Sequence, residues 1–239
     1  MSVKEVHLLE DGFLELDMGM LVYMKTPYYG VKYMAALKPL LIRTESENII
    51  VDTGIAPLPE SLAKHVRFTK QKDIVESLSD FGLVPDDISV VINTHLHMDH
   101  CGNNRLFRKA RHYVQRREID YAVNPDRWMR GGYVKEFFHE LHFEQLDGDG
   151  DITSGVSVIE TPGHTPGHQS VIVSAGEKQI IYMGDACPLM ENLERRDVTG
   201  IMYDPKSELS SIDRLRAIAG DHIASHDLLQ MKYDLVVAE

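Results

Sequence analysis

The run Asn93-Thr94-His95-Leu96-His97-Met98-Asp99-His100-Cys101-Gly102 follows the apolar stretch Ile88 to Ile92, which reads as a buried strand. The run therefore belongs to the loop at that strand's C-terminal end. Alternating residues of an extended segment point the same way, so His95 and His97 can meet one metal ion. A turn into a helix lets Asp99 and His100 face a second, and Asp99 in a first-turn position supports that helix start. Four metal-ligand side chains fall within residues 95–100. Packing alone does not account for such a density.

Two more segments extend the pattern. Thr161-Pro162-Gly163-His164-Thr165-Pro166-Gly167-His168 follows the strand-like Val156 to Glu160. Its Pro and Gly residues punctuate a rigid turn that would hold one imidazole with little entropy cost. His164 reads as the ligand, and His168, at the start of the next strand, as a hydrogen bonder behind it. Tyr182-Met183-Gly184-Asp185 sets a carboxylate at the end of another apolar strand, and His222 or His226 closes the set.

Around these segments the chain reads as short strands with a few helices. Val3 to Leu9, Phe13 to Tyr23, Leu37 to Arg43, Asn48 to Gly54, Arg111 to Gln115, Ser170 to Ser174, Gln179 to Met183 and His222 to Ser225 have strand character. Apolar residues at helical spacing predict helices over Lys72 to Phe81 and Ser207 to Ala219, and residues 116–143 look helical in patches. No low-complexity tract, long linker or repeat is visible, which points to one domain over residues 1–239 with sheets packed inside helices.

Composition narrows the function. The 239 residues are 43% hydrophobic and 26% charged, ordinary for a globular chain. The charge sum, 25 minus 37, is −12, and such a surface repels phosphate backbones, so no nucleic-acid partner is expected. Two cysteines, no run resembling a signal peptide and no apolar stretch of membrane-spanning length predict a cytoplasmic protein with no membrane partner.

His95-x-His97-x-Asp99-His100, followed by His164, Asp185 and His226, resembles the metallo-β-lactamase superfamily of hydrolases. Val51-Asp52-Thr53-Gly54 resembles its first motif. The Thr161 to Ser170 run, Asp204-Pro205, Ser210 to Leu215 and Ser225-His226-Asp227 are most similar to the N-acyl-homoserine lactonase branch, and the last of these selects His226 over His222. The resemblance implies the α/β (α+β) class and a four-layer αβ/βα sandwich. His95, His97 and His164 would hold one metal; Asp99, His100 and His226 a second; Asp185 would bridge them, and Asp52 would orient a ligand. The implied cofactors are two divalent ions, zinc before manganese, iron or cobalt. The implied reaction opens a lactone with a metal-bridging hydroxide as nucleophile, Asp99 relaying a proton to the leaving alkoxide. Asp99 and Asp185 are thus the catalytic candidates, and a homodimer is a further expectation from the family. Alternatives are a thioester hydrolase of the glyoxalase II type, a phosphodiesterase or nuclease of the superfamily, and a metal-bound redox or scaffold module.

One position departs from the pattern. Lactonases of this type carry a tyrosine three residues after the bridging aspartate, where this chain has Pro188. Either another group replaces it, with Tyr28, Tyr29, Tyr133 and Tyr203 as the candidates, or the substrate differs. The Met- and Tyr-rich segment from Met18 to Met34 suits a pocket for an acyl chain, with core or dimer packing as the alternative. The cluster Arg105, Arg108, Lys109, Arg111, Arg116 and Arg117 reads as a solvated face. Cys101 and Cys187 read as small buried residues, and His65, His112, His139 and His142 as unrelated to the site.

Overall fold

Hydrophobic alternation along the central strands builds two sheets that share one core. The computed structural model describes residues 2–237. The larger sheet runs from edge to edge through Asp234–Val236, Val3–Leu8, Leu40–Thr44, Asn48–Val51, Val90–Ile92, Arg111–Gln115 and Phe143–Leu146. The second runs through Gly150–Thr153, Val156–Glu160, Gln169–Ala175, Lys178–Tyr182 and Asp221–Ile223. Leu40, Ile42, Ile49, Val51, Val90 and Ile92 meet Val158, Val171, Val173 and Ile180 between the sheets. The residues between them in sequence, Leu41, Ile50 and Val91, take the opposite face. There they pack with Ile74 and Leu78 of helix Ile74–Ser79.

On the far side of the second sheet, Ile172 and Ile181 pack with Leu193 of helix Met190–Arg195 and with Ile212 and Leu215 of helix Pro205–Arg216. Each fully buried side chain of this size is worth about 1.5–3 kcal/mol of transfer free energy. The result is helix, sheet, sheet, helix: the four-layer sandwich expected from the resemblance.

Asn48–Val51, Val90–Ile92, Arg111–Gln115 and Phe143–Leu146 run parallel, as do Lys178–Tyr182 and Asp221–Ile223. Segments leaving the C-terminal ends of these strands converge on one edge of the sandwich. Asp52 follows the first, residues 93–100 the second, Asp185 the fifth and His226 the sixth. Open sheets with parallel strands place ligand sites at such ends.

Several elements differ from the sequence reading. Phe13 to Tyr23 is not one strand: Phe13–Asp17 gives way to helix Met18–Leu21, because the Asp17 carboxylate accepts from Gly19 N at 2.8 Å and caps a helical turn. Phe13–Asp17 joins Lys32–Ala36 and Arg67–Thr69 in a small third sheet. The later helix starts at Pro205, earlier than its apolar spacing suggests, since Asp204 caps it and proline suits its first turn. Residues 116–143 hold one regular helix, Arg116–Val123, then short 3₁₀ turns.

Candidate metal centre

The seven sequence-predicted ligand residues meet at this edge. Ligand atoms of His95, His97 and His164 lie within 4.8 Å of one another, as do those of His95, His100 and Asp185, and those of Asp99, His100 and His226. Asp185 joins the groups: one carboxylate oxygen is 3.5 Å from His164 Nε2, the other 3.3 Å from His100 Nε2 and 3.2 Å from His226 Nε2. Asp99 Oδ2 is 3.6 Å from His226 Nε2 and 3.8 Å from His100 Nε2. Six of the seven residues are buried, and Asp99 is partly exposed. His222 lies elsewhere, its Nε2 on Leu215 O at 2.9 Å.

The surrounding hydrogen bonds fix which nitrogen each imidazole presents. His164 Nδ1 donates to Ile201 O (2.7 Å), and His226 Nδ1 donates to Ala36 O (2.8 Å), leaving each Nε2 lone pair facing inward. His100 Nδ1 donates to Asp52 Oδ2 (2.7 Å). The same oxygen accepts from Thr94 Oγ1 (2.8 Å), so that hydroxyl accepts in turn from His95 Nδ1 (3.1 Å). One carboxylate thereby sets the tautomers of two histidines. Asp52 holds a φ of 58°, a left-handed conformation that aspartate tolerates.

Asp185 is held from behind. Its backbone N–H donates to His168 Nε2 (2.9 Å), and Ser225 Oγ donates to its Oδ1 (2.6 Å). Ser225 therefore serves Asp185, while His226 is bonded to Ala36 O, so these neighbours do not make a Ser-His-Asp triad.

The donor set fits a cation. His95 Nε2 and His97 Nε2 are buried without a hydrogen-bond partner among the described residues, and His100 Nε2 faces Asp185 outside hydrogen-bond geometry. His97 Nδ1 lies 3.0 Å from His164 Nε2. If His97 carries its proton on Nε2, two lone pairs face each other across that gap. If it carries it on Nδ1, Nε2 is left buried and unmatched. A cation held by His97 Nδ1 and His164 Nε2 would take up both facing lone pairs, with the His97 proton on Nε2.

Charge divides the site in two. Burial, reinforced by neighbouring imidazoles, holds His95 and His97 well below the ordinary histidine value, and burial also lowers His164. Burial opposes charge on His100 and His226 too, but Asp185 and its neighbouring carboxylates outweigh it and raise both. Asp185 is correspondingly held well below the carboxylate range, its burial outweighed by His226 and His100. His168 is pushed down to about 3, chiefly by burial, and stays a neutral acceptor for the Asp185 N–H.

A cavity of about 360 Å³ opens over His97, Asp99, His164, Asp185 and His226. Its wall is mostly apolar, with Leu14, Leu16, Met20, Leu21, Val66, Met98, Met129 and Ile201, and Glu15 and Asp17 among its polar members. Pro188 lines it, and no tyrosine does. Tyr28 donates to Glu191, and Tyr133 donates to Glu118 while its ring packs on His97 at 4.7 Å. Tyr29 and Tyr203 are exposed outside the cavity. None of the four candidates lines the cavity.

His65, expected to be unrelated, is an exposed residue of the cavity wall, placed there by the turn after helix Glu60–Ala63. The sequence reading also missed Thr94, Ser225 and Glu118, whose partners come from distant segments. Cys101 and Cys187 are buried, the former with its thiol on Leu96 O. Within the basic cluster, Arg105, Lys109, Arg111 and Arg116 pair with Glu140, Asp86, Glu47 and Asp147 on the surface. No helix among the described residues is long and apolar enough to cross a membrane.

Comparison with known proteins agrees with this geometry. A family profile described as the metallo-beta-lactamase superfamily matches residues 39–224. The N-acyl homoserine lactonase AiiA of Bacillus thuringiensis subsp. kurstaki is 31% identical, over 97% of this chain and 96% of its own. An N-acyl homoserine lactone hydrolase with N-hexanoyl-L-homoserine bound at its catalytic metal centre superposes with a TM-score of 0.83 at 30% identity, covering 96% of both chains. The F107W mutant of B. thuringiensis AiiA, with N-decanoyl-L-homoserine in its active site, gives 0.84 at 30% identity over the same coverage. With the fold, the clustered ligands and this similarity in agreement, the chain belongs to the metallo-beta-lactamase superfamily, alongside its N-acyl homoserine lactonases.

Proposed function

We propose that the protein is a dinuclear metal-dependent lactonase that opens the ring of N-acyl homoserine lactones or closely related lactones. The observation that carries this reading is the seven-residue cluster, five members of which, His97, Asp99, His164, Asp185 and His226, line the floor of an apolar cavity. His95, His97 and His164 would hold one ion, Asp99, His100 and His226 the other, and Asp185 would serve both. Two divalent ions, zinc in our reading, lower the pKa of water towards neutrality and polarise a carbonyl.

The chain's own residues do the rest. The apolar wall binds an acyl chain and excludes water around the reacting carbonyl. In this reading Asp99, the partly exposed carboxylate, passes a proton to the departing ring oxygen. Water adds to the acyl carbon, the ring C–O bond breaks, the ring oxygen gains a proton, and the new carboxylic acid ionises near neutral pH. Glu15 and Asp17 on the wall weigh against phosphodiester substrates, as does the net charge of −12. In this reading the protein is one domain, acts in the cytoplasm without nucleic acid or membrane, and forms a homodimer.

The test is hydrolysis of a lactone panel by the metal-loaded protein, beside a thioester and a phosphodiester, with His97→Ala in parallel. Lactone turnover that is lost in the variant supports the proposal. Thioester or phosphodiester cleavage without lactone turnover would replace it.

A further inference from the structure

Glu118 lies in helix Arg116–Val123, outside the ligand set, and is fully buried. Its position in the Arg116-Arg117-Glu118 run gives no hint of burial. The carboxylate accepts four hydrogen bonds, all from neutral donors. Oε1 takes Leu96 N–H and Tyr133 Oη, both at 3.0 Å. Oε2 takes Thr165 Oγ1 at 2.6 Å and Gly167 N–H at 3.3 Å. A buried anion matched only by neutral donors keeps its desolvation cost, and burial indeed raises its pKa. Four donors from separate segments converging on this one carboxylate point to a role in holding them.

Three of those donors sit beside the same group of histidines. Leu96 lies between His95 and His97, and Thr165 directly follows His164. The Tyr133 ring packs against His97. Gly167 sits so close that a Cβ there would lie 2.2 Å from Glu118 N. The histidines of the other cluster hang elsewhere: His100 on Asp52 and His226 on Ala36 O. We propose that Glu118 is a positioning residue that sets the spacing of the His95, His97 and His164 subsite, and so controls metal affinity there while leaving the Asp99, His100 and His226 subsite independent of it. The inference rests on the dinuclear reading above.

The chemistry of the side chain makes this testable. A carboxylate offers lone pairs to all four donors, whereas a glutamine amide offers one oxygen and turns N–H groups towards the other two. Partners that orient metal ligands typically change metal affinity about 10–100-fold when replaced. The experiment is cobalt(II) titration of the metal-stripped full chain, read by visible absorption and by the metal-to-protein ratio after gel filtration. Glu118→Gln, Tyr133→Phe and Thr165→Val are compared with wild type, with circular dichroism as the check on folding.

The expected result is two cobalt ions on wild type. Glu118→Gln should hold one ion with near wild-type affinity and the second about 10–100-fold more weakly, with one set of absorption bands lost. If Glu118→Gln does not fold, Tyr133→Phe and Thr165→Val, which each remove one donor, should weaken the same single ion by a smaller factor. Folded variants that lose both ions equally, or keep both unchanged, would overturn the inference. Wild-type protein that takes up no cobalt would instead overturn the metal reading beneath it.

Discussion

Asp52 accepts a 2.7 Å hydrogen bond from His100 Nδ1, with both side chains buried at the edge between the sheets. Because Asp52 also accepts from Thr94, which contacts His95, its carboxylate is coupled to a histidine of each proposed subsite. Asp52→Ala should therefore weaken metal binding about 10–100-fold, and it should affect both ions, unlike the Glu118 substitution. Competition titration against a chelator measures this. Unchanged affinity would mean that the histidines orient themselves.

Trp128, the only tryptophan of the chain, lines the cavity and is 68% exposed. An acyl chain entering the cavity would cover the indole, so product titration should shift its emission to shorter wavelength. Trp128→Ala should raise KM for long-chain lactones about 10-fold, with kcat changed little, since one lost apolar contact surface of this kind is worth about 1–3 kcal/mol. Emission that does not respond while turnover proceeds would place the chain elsewhere.

Glu208 gives a pH signature. Burial, partly offset by hydrogen bonds from Thr199, pushes its carboxyl up from the ordinary 4.5 to about 8. Between those values the native state holds a proton that the unfolded chain releases. Stability therefore falls as pH rises through that window, by at most about 1.4 kcal/mol per unit for one proton. It is flat in this respect below 4.5. Glu208→Gln removes the titration, and denaturant unfolding from pH 5 to about 8.5 should show a smaller decline than wild type. Parallel profiles would contradict the assignment.

Gly163 has a φ of +141°, and a Cβ there would meet the Glu208 backbone at 2.3 Å. It precedes His164. Gly163→Ala should cost about 1–3 kcal/mol of stability and displace that imidazole, lowering activity and affinity for one ion together. Thermal unfolding and metal stoichiometry measure both effects. A variant with wild-type melting and activity would show that the turn relaxes.

Local chemistry explains which parts of this architecture were legible in the sequence. Val90–Ile92 and the histidines after it could be read because a short apolar strand and a dense ligand run are both contiguous signals. Helix Ile74–Ser79 announced itself through the helical spacing of its apolar residues, while the Asp73 carboxylate that caps it became evident only in the fold. By contrast, Lys32–Ala36 and Arg67–Thr69 are strands only because Phe13–Asp17 lies between them to supply partners. Phe143–Leu146 likewise depends on its neighbour Arg111–Gln115, with little hydrophobic pattern of its own. Glu118 and Thr94 escaped notice for the same reason: their importance lies in donors and acceptors that only the fold brings near. The missing tyrosine was legible as Pro188, but no single sequence position could show that none of the four alternatives reaches the cavity.

The central claim is that this metal cluster opens lactones, and proton release tests it most directly. An N-acyl homoserine lactone is added to the metal-loaded protein in weak buffer near neutral pH, with acid release followed continuously and the product mass checked. The account predicts one proton per lactone consumed, a product heavier by one water, and loss of both in His97→Ala and after metal removal. Protein that holds two ions yet releases no acid from any lactone in the panel would contradict it.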